Sequence, residues 1–314
     1  MNNLIFCLNA TIPIFLLMLL GMLFQKIGVF SDSFVKTMNS FVFRIALPVL
    51  VFKELSTQDF YQIWDGTFVL FCFLATLGSI TIAILLSFLF KDSSIRGEFA
   101  QAAYRSSAAL LGISFIQNIY GNAGISPMMI IGCVPLYNVM AVLILSFLKP
   151  ERGRLDRTLF LHTLKDIATN PIIIGIVFGM IWSLLSLPQP VIMTKTVTYI
   201  ANLATPLGLM AMGAGFHAGA ALSSMKPALT ACFCKLVLFC ALLLPLAVRF
   251  GFTNDKLLCV LIMAGSPTTV SCFVMAKNMG HDGTVSSTCV MLTTIFSAFT
   301  LTLWLYILKT FGLV

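Results

Sequence analysis

Ten long apolar runs follow one another along the chain, parted by short polar joints. They cover Leu4–Phe24, Phe34–Leu55, Gly66–Phe90, Gly97–Tyr120, Ser126–Leu148, Leu164–Leu187, Val191–Ala220, Pro227–Phe250, Leu257–Gly280 and Thr284–Leu308. A helix needs about 20 apolar residues to cross a bilayer. The pattern therefore predicts an all-α polytopic membrane protein with ten crossings. The ninth run has an unusual middle: Gly265, Ser266, Pro267, Thr268 and Thr269 fall where the bilayer midplane would lie. Proline lacks an N–H and clashes with the preceding turn, so the helix is expected to break there. A break at that depth persists only where protein or a wet cavity covers it. Broken helices at mid-membrane are the common substrate site of secondary transporters. A proline kink in a continuous helix is the plain alternative.

Composition agrees with the pattern. The chain of 314 residues is 59% hydrophobic and only 10% charged, where soluble domains carry about 25% charge. The nine cysteines lie almost all inside apolar runs and read as small core residues, not a disulfide framework. The net charge of +8 comes mostly from joints between runs, where it sets membrane orientation and gives no ground for nucleic-acid binding. The opening MNNLIFCLNA lacks a basic segment and reads as the first span. With the N-terminus outside, Lys26, Lys36, Lys91, Arg96 and the linker Lys149–Arg157 fall inside; Lys53, Lys195, Arg249, Lys256 and Lys309 fall outside. The excess inside predicts a cell-membrane protein with both termini outside.

The chain also resembles itself. Laying Gly280 on Gly121 and Gly283 on Gly124 brings Ser266 onto Ser107 and Pro267 onto Ala108. A nearly identical offset lays Pro206 of the seventh run on Pro48 of the second. Residues 1–148 and 158–314 thus read as two five-helix units joined by a cytoplasmic linker, 149–157. An odd number of spans per unit makes the two face opposite ways, the inverted-repeat plan of many carriers.

Three stretches carry a family resemblance: SPTTVSCFVMAKNMGHDG from Ser266, ALPVLVFKEL from Ala46, and QAAYRSSAALLGISFIQNIYG from Gln101. Together they resemble the auxin efflux carrier family, in which bacterial members are assigned to malonate or malate. The family is related in fold to the bile-acid symporters. The resemblance covers the whole chain. It implies two inverted five-helix repeats, with the fourth and ninth helices broken and crossing at the substrate site, and elevator-like movement of a small organic anion. The chain departs from the family at the first crossover, where an Asn and a Pro are usual and Ser106, Ser107 and Ser114 stand instead.

The residues at the breaks suit an anion. Half-helix N-termini carry about +0.5 charge, and two of them make an anion site. Ser106, Ser107, Ser266, Thr268, Thr269 and Ser271 add hydroxyl donors around Pro267. Arg105 directly precedes the first break. Inserting such a charge costs about 2.5–3.5 kcal/mol, so it is expected to face a cavity or a partner. No acid is expected deep in a span, and Glu98 sits at a span edge, which leaves Arg105 as an unpaired cation. Asn138 follows Pro135 at a depth that reaches the crossing. Asn202 and Thr205, beside Pro206, are further candidates. Arg44, four residues before Pro48, either lines the cavity or snorkels; Lys235 reads as a snorkelling or structural charge. His162, His217 and His281 are expected in loops or at span ends, solvated.

The leading expectation is a secondary transporter for a small organic anion, with the solute and membrane lipid as its partners and a homodimer left open. No metal or cofactor is expected. The scarcity of membrane acids argues against proton coupling through a carboxylate; coupling to Na+ or uniport stays open. A sodium-coupled bile-acid-type symporter or a channel of similar architecture are the alternatives. An intramembrane enzyme lacks its motifs, with no HExxH and no Asp pair, and a receptor lacks an output domain.

Overall fold

The computed structural model describes residues 2–57, 65–108, 116, 119–120, 124–149, 165, 167–216, 219, 222 and 224–314, with the backbone alone for 2–11. Among these residues there are helices and no strands. In chain order the helices are α1 (Asn2–Lys26), α2 (Asp32–Ser56), α3 (Gly66–Ser87), α4 (Arg96–Tyr104), α5 (Ser126–Phe147), α6 (Pro171–Leu184), α7 (Val191–Ala214), α8 (Met225–Arg249), α9 (Asn254–Gly265), α10 (Ser271–Asn278) and α11 (Thr284–Thr310). Six of them, α2, α3, α5, α7, α8 and α11, are long and apolar enough to cross a membrane. Most of the linker, with Arg152, Arg154 and Arg157, and also His162, His217, Ser114 and Gly121, lies outside the described residues.

Helix ends fall where local chemistry stops or starts them. Ser31, Asp65 and Asn170 cap α2, α3 and α6 by accepting the amide protons of Phe34, Phe68 and Ile172, as N-cap oxygens do. Helix α7 ends at Ala214, and Gly215 and Phe216 after it are not helical, within a run whose apolar reach extends to Ala220. Two helices carry a wide π turn, at Val42–Ala46 in α2 and Cys234–Leu238 in α8. The first immediately precedes Pro48, whose ring would otherwise meet the carbonyl of Arg44. Within the second, the Leu236 carbonyl accepts from the Trp304 indole N–H at 3.0 Å.

Packing divides the apolar interior into two cores. One joins α3, α4, α5, α8, α9 and α11. The other joins α1, α2, α6 and α7 with one face each of α5 and α10 and with Val290 of α11. Close approach holds the second core together: Gly213 of α7 lies on the backbone of Met18 in α1, and Gly21 of α1 lies on Met210, with no room for a Cβ at either. Lipid tails do not drive helices together as water does, so backbone proximity matters more here.

Two sets of contacts tie helix ends together. In one, Lys256 Nζ meets Asp65 Oδ2 at 2.6 Å, and the Asn254 amide donates to Leu313. In the other, Glu98 accepts from the amides of Gly283 and Ser286 at 2.7 and 3.0 Å. A carboxylate there also complements the positive end of α11. Gly283 has φ +75°, a left-handed turn that favours glycine. Glu98 is fully enclosed although it stands at a span edge. His281 corrects the solvated expectation: it is buried, and its Nε2 is 2.9 Å from the Leu145 carbonyl. The tight turn after Gly280 tucks it under α5.

Two outcomes test this packing. Gly213→Val should force α1 from α7 and lower the thermal unfolding midpoint, at a cost of about 1–3 kcal/mol, where an exposed control such as Leu203→Val should not. The bond from Lys256, then that from the Phe68 amide, holds the Asp65 carboxyl below its usual value of 3.8. A lowered folded-state value contributes stability above 3.8 that is lost as pH falls through the folded value. Asp65→Asn keeps the cap and should cost about 0.2–1 kcal/mol at neutral pH, with the difference from wild type vanishing in acid melts.

Candidate functional site

Both suspect helices are interrupted. α4 ends at Tyr104, and Arg105 turns to extended backbone with φ −67° and ψ 132°. α9 ends at Gly265, and Ser266 does the same with φ −71° and ψ 157°. Helicity resumes at Ser271. The two helices preceding the breaks thus end at Tyr104 and at Gly265. The two extended stretches lie against each other. The Ser107 amide donates to the Pro267 carbonyl at 3.0 Å, and the hydroxyls of Ser106 and Ser266 are 2.5 Å apart. Thr268 ties the stretches further, its hydroxyl donating to Ala102 at 2.9 Å and its amide to the Thr293 hydroxyl.

The helix ends facing this crossing are satisfied by side chains. Lys235 is buried, and its ammonium donates to the carbonyls of Tyr104 and Met263, both at 3.2 Å. The Tyr137 hydroxyl also donates to the Met263 carbonyl, and the Tyr104 hydroxyl donates to the Tyr137 carbonyl in α5. Of the two readings of Lys235, the structural one holds and snorkelling does not: its head sits under two helix ends, where a cation complements the negative dipole.

Arg105 points the other way, into a cavity between the two cores. Its guanidinium donates to Asn138 Oδ1 at 2.7 Å and Ser271 Oγ at 2.8 Å, and contacts Met275 Sδ. Asn138 is oriented by its own amide nitrogen, which donates to Val134 at 3.0 Å. Arg105 is 2% exposed, yet among the described residues its Nε–H has no hydrogen-bond partner. The cavity is about 50 Å³, room for a few waters. Its polar lining is Glu54, Arg105, Ser106, Ser107, Tyr137, Asn138, Thr205, Thr269 and Ser271; α2, α6 and α7 supply an apolar wall through Leu47, Leu50, Val51, Ile172 and Ala204.

Several candidates meet at this cavity and others do not. Ser266, Pro267 and Thr268 make the crossing itself; Pro267 and Thr268 line a second cavity of about 50 Å³ that adjoins the first through Ser107, Thr205 and Thr269. Arg44 and Asn202 are exposed, on the faces of α2 and α7 turned from the cavity. Pro48 and Pro206 shape their helices without lining it. Glu54 corrects the expectation of a cation standing without an acid, because it shares the cavity with Arg105. The signal for it was in the sequence: Leu47, Leu50, Val51 and Glu54 repeat at helical spacing and share one face. Tyr137 and Gln101 were also missed. Gln101 donates to the Cys272 carbonyl across the crossing at 2.9 Å.

Comparison with known proteins bears on this geometry. The family described as "Membrane transport protein" matches residues 6–305. The chain belongs to that family. It is a multi-pass membrane transporter and not an enzyme, and the resemblance to the auxin efflux carriers holds. A relative from Rhizobium meliloti (strain 1021), bearing the name "Putative malonate transporter", is 24% identical and covers 96% of this chain and 95% of its own length. An "Uncharacterized transporter" of Methanothermobacter thermautotrophicus is 22% identical, over 96% of this chain and 98% of its own.

The crossing and the cavity of this transporter are distinguishable by labelling. The eight cysteines with described side chains are buried and free. In a background with native cysteines replaced, Thr269→Cys on the cavity wall should react with a polar thiol reagent. Thr268→Cys, 2% exposed and locked between the half-helices, should stay unreactive.

Proposed function

We propose that the protein is a secondary carrier for a small organic anion, binding it at Arg105 beside the crossing and exposing it to each side of the membrane in turn. The observation that carries this is a buried guanidinium whose Nε–H finds no acceptor among the described residues, in a cavity on the boundary between two packed bodies. A buried cation with spare donor capacity is what a carboxylate needs. Ser107, Thr269 and Ser271 would supply further donors, and Ser271 opens α10, whose N-terminal dipole favours an anion. The name of the Rhizobium relative points to a short dicarboxylate such as malonate.

Contacts between helices support an inverted repeat of two five-helix units. α1 packs on α7 as α6 packs on α2; α3 packs on α5 as α8 packs on α11; α3 packs on α4 as α8 packs on α9. Each pair maps onto its counterpart when the units are exchanged. The ten apolar runs then give ten spans, with α4 opening the fourth and α9 and α10 forming the ninth. The excess of basic residues in the joints assigned to the inside supports both termini outside. Sliding of one core past the other, with the cavity on their boundary, gives an elevator-like alternation a physical basis. Glu54 adds a constraint: its carboxylate competes with the solute for the field of Arg105.

Malonate counterflow into liposomes reconstituted with the protein tests the reading. Saturable uptake accelerated by internal malonate is expected, and Arg105→Ala should reduce it at least tenfold with reconstitution and melting intact. Unchanged uptake in that variant removes Arg105 from the site. Ohmic anion current without trans-stimulation replaces the carrier with a channel.

A further inference from the structure

We propose that Lys235 is a built-in cation standing where carriers with broken helices hold a coupling sodium, so that transport runs without sodium. This rests on the carrier reading above. In such carriers the unwound carbonyls and the C-terminal ends of half-helices coordinate the ion. Here the C-terminal ends of both half-helices converge, and the ammonium of Lys235 sits between them, 3.2 Å from the carbonyl of Tyr104 and 3.2 Å from that of Met263.

The neighbouring carbonyls are also taken. Ile262 accepts from the Ser266 amide and from the Ser106 hydroxyl. Ala102 accepts from Thr268, Gln101 from the Arg105 amide, and Met263 additionally from Tyr137. A diffusing cation would have to displace protein donors and then sit beside a fixed positive charge. The π turn at Cys234–Leu238 places Lys235 at this point of α8, and its side chain is 1% exposed. A tethered ammonium serves the ends as a bound ion would, but it does not dissociate on either side of the membrane, so it carries no gradient.

The test reads sodium directly. Wild-type protein, purified without substrate, should melt at the same temperature in NaCl, KCl and choline chloride of equal strength. Malonate counterflow should proceed within twofold in sodium and in choline. Lys235→Ala removes the ammonium from both carbonyls, leaving Met263 with the Tyr137 hydroxyl alone, and sodium should stabilise the variant over potassium by about 3 °C or more, saturably. Selective stabilisation of the wild type by sodium, or uptake driven by a sodium gradient, overturns the proposal. So does a folded Lys235→Ala protein that is indifferent to sodium. If that variant does not fold, the two wild-type measurements decide alone. The melting experiment needs no transport, so a failure of malonate counterflow counts against the carrier reading and leaves the ion result standing.

Discussion

Two helices that stop inside an apolar layer leave carbonyls that lipid cannot satisfy, and the arrangement of this protein follows from how those carbonyls are met. Each unmatched group at that depth would cost several kcal/mol. The answer is mutual: each interrupted stretch supplies donors to the other, through the Ser107 amide, the Ser106 hydroxyl and the Thr268 hydroxyl. Lys235 closes the remaining gap from outside the pair. Neither break is tenable alone. Because Arg105 is the residue at which α4 turns extended, the direction of its side chain is a consequence of the same event.

The two cores give that event a mechanical setting. The half-helices α4 and α9 are packed wholly into one core, where nearly every residue from Leu257 to Gly265 is enclosed. The opposing wall, built from α2, α6 and α7, meets them across apolar side chains and a handful of hydroxyls. Such a boundary is easier to shear than the interior of either core, where backbones touch as at Gly213. Polar groups that serve packing and those that face the cavity are thereby separated. Thr268 and Ser266 are spent within the crossing, while Thr269 and Ser271, one or a few residues on, remain at the cavity.

Glu54 and Lys235 show how much chemistry a span can hold when a partner is at hand. Glu54 stands in the last turn of α2, on the stripe that faces Arg105. Lys235 lies deep in an apolar helix, where a charge is tolerated only with compensating oxygen atoms. Both positions look unremarkable in isolation: an acid at the end of a run, and a lysine in the middle of one.

Much was legible before any coordinates. Apolar run length and the scarcity of charge determined the membrane class, and Pro267 among glycine and hydroxyls marked the place where the ninth run would break or kink; the structure shows a break. Those signals are local, since run length and a missing N–H act within a few residues of themselves. Arg105, Ser107, Asn138, Thr205, Thr269 and Ser271 were marked by type and depth, and all line the cavity. What tertiary structure alone decided was which of these groups face one another. That Lys235 reaches the ends of two different helices, that Thr268 turns inward while Thr269 does not, and that His281 is buried beneath α5 depend on contacts between residues far apart in the chain. Helical periodicity places a residue on a face, but only packing determines what that face meets.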